Sequence, residues 1–333
     1  MSPNELEIFL NRLIENQLYL STMIWGPPGI GKSSIVNQVT QNNGLEFIDL
    51  RLSQLAPTDL RGLPVPKNNQ SAWLPPEFLP MDGKGILFLD EINMAPPTMQ
   101  GVAQQLILDR RVGSYKLPEK WFVWAAGNRK EDQAAIFDMP SPLANRFVHL
   151  KVEVSAVGFR HYAHTKKFDE QLIAFISFRE DLLYKIIKGE NAWPSPRSWE
   201  MANSLLSVNL DISPAVGVGP ASEFYAFKEI ADKTPDLDKV ALGDLNIKFP
   251  EEPSLRYASV MGLVGRCSET KRTINCFQWL VNKAPAEWIQ LFATDLFPLL
   301  RKRNMLVPVH QALTSDPKLL KFLSEFSQLL GEE

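Results

Sequence analysis

From residue 5 to about 150, short apolar runs alternate with stretches whose apolar positions recur every three or four residues. That rhythm predicts an α/β domain with a parallel sheet. The runs predict strands at Tyr19–Trp25, Leu45–Leu50, Gly85–Asp90, Trp121–Ala126 and Phe147–Val152. Each is short and flanked by turn or polar residues, as strands covered on both faces tend to be. The helical stretches are Leu6–Ile14, Ser33–Gln41 and Thr98–Asp109, the last with Val102, Leu106 and Asp109 on one stripe.

Residues 51–82 break the pattern. Their six prolines forbid one regular helix and predict an insertion or a long functional loop. Beyond about residue 155 strand-like runs become scarce, and helical periodicity appears in Asp169–Lys188, Arg197–Ser207, Ser222–Lys233, Ser254–Arg266, Ile274–Asn282 and Ala286–Leu300. Residues 212–222 and 234–253, rich in Pro, Gly and Asp, read as ordered loops. The expected organisation is an α/β domain over 1–155, with its insertion at 51–82, followed by a mostly α-helical region over 156–333.

Composition narrows the function classes. A chain of 333 residues with 45% hydrophobic and 22% charged residues builds a full core and has room for two domains. Thirty-five Lys and Arg against 38 Asp and Glu leave a formal charge of -3, which argues against a protein devoted to neutralising nucleic-acid backbone. Cys267 and Cys276 form neither a CxxC pair nor a Cys/His cluster, so a disulfide framework and a structural zinc site are not indicated. With an acidic and polar start and no run of 18 apolar residues, the expectation is a cytoplasmic protein that spans no membrane.

The chemistry concentrates at the ends of the predicted strands. Gly26-Pro27-Pro28-Gly29-Ile30-Gly31-Lys32-Ser33 fits G-x-x-x-x-G-K-[ST] between a strand and a helix, with Ser34 next in line. Backbone N–H groups of such a loop curl around a polyphosphate, and the following helix offers its positive end. Lys32 is placed for the β and γ phosphates and the Ser33 hydroxyl for Mg²⁺. The run Ile86–Leu89 delivers Asp90 and Glu91 at a strand's carboxyl end, where open parallel sheets bind ligands. Asp90 is the candidate for holding Mg²⁺ and Glu91 for activating water in phosphoryl transfer; the alternative is an acidic pair that caps a helix. Asn128, after the strand from Trp121, could meet the γ-phosphate or the attacking water, or be a simple turn asparagine.

Taken together, the phosphate loop at 26–33, ILFLDE at 86–91, WAAGN at 124–128 and SPLANRF at 141–147 resemble an AAA+ ATPase core. The resemblance is closest to the MoxR-like branch, whose insertion corresponds to residues 51–82. Trp193–Ser198 resembles the start of a helical lid. The resemblance implies ATP and Mg²⁺ as cofactors. It also implies Arg146 as an arginine finger reaching a neighbour's γ-phosphate, and Arg197 as a sensor-2 residue in the lid. It further implies a homo-oligomeric ring, most naturally a hexamer, that remodels or activates a separate protein client, possibly one with a von Willebrand factor A domain. The physical counterpart for Arg146 is that a fixed guanidinium stabilises charge on the transferring phosphoryl group. A cation at Arg197 opposes the dipole of the helix it begins, a misfit that favours function.

Rival readings are a nucleic-acid-associated AAA+ motor, a nucleotide-dependent switch or scaffold, and a small-molecule P-loop kinase. Several features are set aside as ordinary structure: His161 and His164 as a metal pair, and Arg110-Arg111 and Lys166-Lys167 as solvated charges. Most of the eight tryptophans belong to packing, while Trp73, near Lys67–Gln70 in the insertion, is a candidate for presentation to a partner.

Overall fold

The computed structural model describes residues 1–67, 69–129, 137–187, 189–315 and 319–320. Its chain divides into two compact units, Met1–Val154 and Ser155–Glu333.

The first unit is built on five parallel strands, β1 (Thr22–Trp25), β2 (Glu46–Arg51), β5 (Gly85–Asp90), β8 (Trp121–Gly127) and β9 (Val148–Lys151), in the spatial order β2-β5-β8-β1-β9. All five expected strands form, each within a few residues of its expected limits. Both faces are covered, which is why the central strands are apolar throughout. Met23, Leu87, Leu89, Val123 and Ala125 face helix α4 (Pro97–Asp109) through Val102, Ala103 and Leu106. Helices α1 (Pro3–Glu15) and α2 (Lys32–Asn42) pack together, and α2 lies against β2 and β5. Alternate positions of β5 and β8 therefore serve two hydrophobic layers, and Trp121 and Trp124 are fully buried.

The segment 51–82 is more regular than its prolines predict. It holds a short helix α3 (Pro57–Arg61) and an antiparallel hairpin of β3 (Leu63–Lys67) with β4 (Gln70–Leu74). Pro64 and Pro66 are tolerated because a two-stranded ribbon leaves half its backbone donors unpaired. Asn68 lies outside the described residues. Trp73 is not a loop-tip side chain. It lies half-buried on β4 over Gly113, within a second small hairpin of β6 (Arg111–Val112) and β7 (Tyr115–Lys116), and its carbonyl accepts from the Ser114 hydroxyl at 2.7 Å. Arg110 is likewise no solvated charge. One of its guanidinium nitrogens donates to the carbonyls of Pro118 at 2.8 Å and Trp121 at 2.7 Å, tying the end of α4 to the start of β8.

The second unit holds helices and no strand among its described residues. Its longer helices are α6 (Ala156–Thr165), α7 (Glu170–Phe178), α8 (Pro196–Leu206), α10 (Val218–Ala231), α12 (Pro253–Arg266), α13 (Thr270–Lys283), α14 (Ala286–Lys302) and α15 (Leu306–Thr314). Helix α7 stops at Phe178, short of the expected Lys188. Arg179 leaves the helical region (φ -125, ψ 65) and its guanidinium is committed to Asp181 and Glu223, after which Glu180–Leu182 forms a 3₁₀ turn. Two stretches expected to be loops carry helix. Ser213–Val216 forms α9 with proline in its first turn, where no backbone donor is lost. Leu237–Leu242 forms α11 because Asp236 caps the Lys239 N–H at 3.1 Å and Gly243 closes the other end. Phe175, Trp199, Phe224 and Phe227 interlock at the core of this unit. The same unit holds an ionic cluster centred on the buried Arg160 and Asp295. Arg160 Nε donates to Asp295 at 2.9 Å, its Nη1 to Glu180 at 2.8 Å, and His164 Nε2 lies 3.7 Å from Asp295.

Candidate functional site

The carboxyl ends of β1, β8 and β5 lie side by side, and each delivers one part of the site. After β1, the loop Gly26–Gly31 turns into α2 through Gly29 (φ 81) and Gly31 (φ 92), left-handed conformations that a side chain would strain. The first turn of α2 has neither an acidic residue nor a side-chain cap, so its N–H groups and the positive end of its dipole carry no internal anion. A polyphosphate would supply what is missing there.

Lys32 is 8% exposed, and its ammonium folds back over the loop. It donates to the carbonyls of Gly26 at 2.7 Å and Pro27 at 3.0 Å, and to Asn128 Oδ1 at 3.0 Å. Ser33, at the second position of α2, donates its hydroxyl to Asp90 Oδ2 at 2.6 Å. The other Asp90 oxygen accepts the Glu91 N–H at 2.9 Å. A hydroxyl and a carboxylate meeting at a sheet edge are oxygen donors of the kind Mg²⁺ takes, usually with water completing its shell. The residues therefore fit the nucleotide and metal that the loop implies. Pro27, Pro28, Ile30 and Ser34 hold the places the sequence gives them in the loop and the first turn of α2.

Glu91 adopts a left-handed conformation (φ 55, ψ 33), which costs a non-glycine residue on the order of 1–2 kcal/mol. The turn is secured by Met94 N–H, which donates to the Glu91 carbonyl at 2.8 Å, and by Ser53 Oγ, which donates to Glu91 Oε2 at 2.6 Å. A strained backbone that swings a carboxylate away from its own strand is characteristic of functional turns.

Asn128 joins the two sides. Its Oδ1 accepts from Lys32, which turns its amide nitrogen toward Met94 Sδ at 3.6 Å, a weak acceptor that leaves the N–H groups able to serve an oxygen. Its backbone is clamped by Asn93, whose Nδ2 donates to the Asn128 carbonyl at 2.7 Å and whose Oδ1 accepts the Asn128 N–H at 3.2 Å. Gly127 is what permits the approach, since a Cβ there would lie 2.5 Å from Asn93 Oδ1.

Sequence reasoning missed Asn93 and Ser53. Asn93 follows the acidic pair closely enough to have been noticed, because a buried amide needs partners. Ser53 gives no local signal, since only the β2–β5 register brings it beside Glu91. Asp49 on β2 is a further carboxylate near the rim. Loss of hydration raises its pKa above the ordinary value, and the charges of Asp90 and Glu91 add to the rise while Arg51 opposes it. Arg146 is exposed, just beyond the four-residue helix α5 (Ser141–Ala144); its backbone N–H donates to the Leu143 carbonyl at 3.1 Å, and its side chain makes no hydrogen bond or ion pair among the described residues. Arg197, at the second position of α8 in the other unit, is exposed too.

Residues 21–128, the stretch from β1 to the end of β8 that builds this rim, match the family model described as AAA domain, dynein-related subfamily. No curated protein matches the chain. Among solved structures, NtrX from Brucella abortus in complex with ADP is 16% identical over 91% of this chain and 68% of its own, with a TM-score of 0.42. A point mutant of RuvB from Thermotoga maritima is 15% identical over 73% of this chain and 74% of its own, with a TM-score of 0.41. Both likenesses are too distant to transfer a role to any residue. No helix among the described residues is long and apolar enough to cross a membrane.

Proposed function

With an AAA ATPase domain in residues 21–128, we propose that the chain is a Mg²⁺-dependent ATP hydrolase of the MoxR-like type. It works as a homo-oligomeric ring, a hexamer in this reading, and uses turnover to remodel or activate a separate protein client, possibly one bearing a von Willebrand factor A domain. The observation that supports the ATPase chemistry best is the joint placement of an uncapped α2 N-terminus, the Lys32–Asn128 bond and the Ser33–Asp90 bond at one sheet edge.

In this reading the loop N–H groups and Lys32 bind and orient the triphosphate. Ser33 and Asp90 would hold Mg²⁺, which when bound neutralises phosphate charge. Glu91 takes the proton of the attacking water at a carboxylate oxygen, and Asn128 directs an amide N–H toward the transferring group or the water. Arg146, exposed and uncommitted among the described residues, suits a guanidinium that completes the site of an adjoining copy. Arg197 reads the nucleotide from the helical unit, where it acts as a lid.

Mixing variants tests the shared site. Glu91→Gln is expected to retain ATP while losing hydrolysis by about 10²–10⁴-fold. Arg146→Ala should also be inactive alone. Co-assembled, the two should regain turnover at interfaces that pair an intact Glu91 with an intact Arg146. No regained turnover despite demonstrated co-assembly refutes the arrangement.

A further inference from the structure

We propose that His149 is a positioning residue for Arg146, a role that rests on the shared-site reading above. His149 lies on β9 and is exposed, yet both of its ring nitrogens are engaged. Trp25 Nε1 donates to His149 Nδ1 at 2.8 Å, and the two rings are almost parallel, 13° apart with centroids separated by 6.0 Å. An indole N–H can only donate. His149 Nδ1 is therefore the bare nitrogen, and Nε2 carries the proton that it donates to the Ala144 carbonyl at 2.8 Å.

Ala144 ends α5, and Arg146 follows two residues later. Helix α5 is a single turn with no side-chain cap, so little within it fixes where its end points. The turn is held from outside at two places. On one side His149 ties the Ala144 carbonyl, which also accepts the Phe147 N–H at 3.3 Å. On the other, Phe147 is sunk into the core and meets the His149 ring edge-on at a centroid distance of 6.2 Å. Arg146 stands between these anchors. Trp25, the other partner of the imidazole, immediately precedes Gly26 and is already aligned by the β1–β9 ladder, in which Trp25 faces Lys151. The strand that leads into one copy's phosphate loop thus braces the turn that offers an arginine outward.

The imidazole could in principle serve its own pocket through Trp25 or a neighbour's pocket through Arg146, and subunit mixing separates the two. His149→Ala should lower kcat by about 10–100-fold, as a small misplacement of a reacting group does, with ATP affinity unchanged. Mixed with Glu91→Gln it should regain turnover, because its sound pocket meets a well-placed arginine. Mixed with Arg146→Ala it should not, because neither copy then presents a working arginine. His149→Gln, which keeps a donor at the far position, should retain most activity. His149→Asn, which keeps only an acceptor near Trp25, should behave as alanine does.

Recovery with Arg146→Ala, equal rescue by Asn and Gln, or an unchanged kcat would each overturn the positioning role. If His149→Ala does not fold, the Gln and Asn pair decides. Should Arg146→Ala and Glu91→Gln fail to complement each other, the shared site itself falls. Should they succeed while His149→Ala with Glu91→Gln fails, only the role of His149 falls.

Discussion

Each unit contains a network of charged and polar side chains, and the two differ in what surrounds them. In the helical unit Asp295 is wholly buried and Arg160 is 3% exposed, so their partners are fixed when the chain folds. At the sheet edge Asp90, Glu91 and Asn128 are half-buried, and their partners can be exchanged for water, a cation or phosphate oxygens. A sealed ion pair offsets its own desolvation and contributes mainly when one member is lost. An open one is poised for replacement. On the function proposed above, the first network does structural work and the second does chemistry.

The sharpest way to break this contrast is Asp295→Ala, which takes the acceptor from the buried Arg160 Nε, leaves that guanidinium only the more exposed Glu180, and should destabilise the helical unit by about 3–5 kcal/mol in denaturant melts. Burial alone would raise the Asp295 pKa, but His164 and Arg160 outweigh it and the net shift is downward. A lowered folded value means that the carboxylate stabilises the unit above its unfolded pKa, near 4, and that this contribution is lost as pH falls through the folded value. Acid melts of the wild type and Asp295→Asn should therefore converge below about pH 4.

Lys32→Ala should do the converse. ATP affinity measured by calorimetry should fall by about 100-fold or more, roughly 2.7 kcal/mol, while the melting temperature without nucleotide moves little. A variant that unfolds would merge the two networks into one class.

The smallest expected effect sharpens the comparison inside the rim. Asp49 has a raised pKa in the fold, so ionising it costs stability as pH rises above the ordinary carboxylate value. Asp49→Asn should stabilise the protein at pH 7 by only a few tenths of a kcal/mol after solvent screening, and the gain should vanish near pH 3. A destabilised variant would remove the charge-crowding account of this edge.

Most of the sheet was legible because buried parallel strands leave continuous apolar runs, and β5 forms at its expected limits. The phosphate loop and the acidic pair were legible because their chemistry is local in sequence. Ser53 and the hydrogen-bonded pair of Trp25 and His149 were not, since each depends on strands that neighbour one another only in space. The β3–β4 hairpin was hidden by Pro64 and Pro66, which suppress the strand pattern without preventing a two-stranded ribbon. Helix α11 was hidden by brevity: six residues between Asp236 and Gly243 give too short a period to register, although the capping residues at both ends were visible.

The sheet's outer strands carry a final consequence. β2 exposes Glu46, Asp49 and Arg51, and β9 is a four-residue strand exposing His149 and Lys151. Short margins lined with polar and charged side chains discourage a second molecule from adding its own backbone ladder. Runaway stacking of strand edges into fibrils is thereby disfavoured.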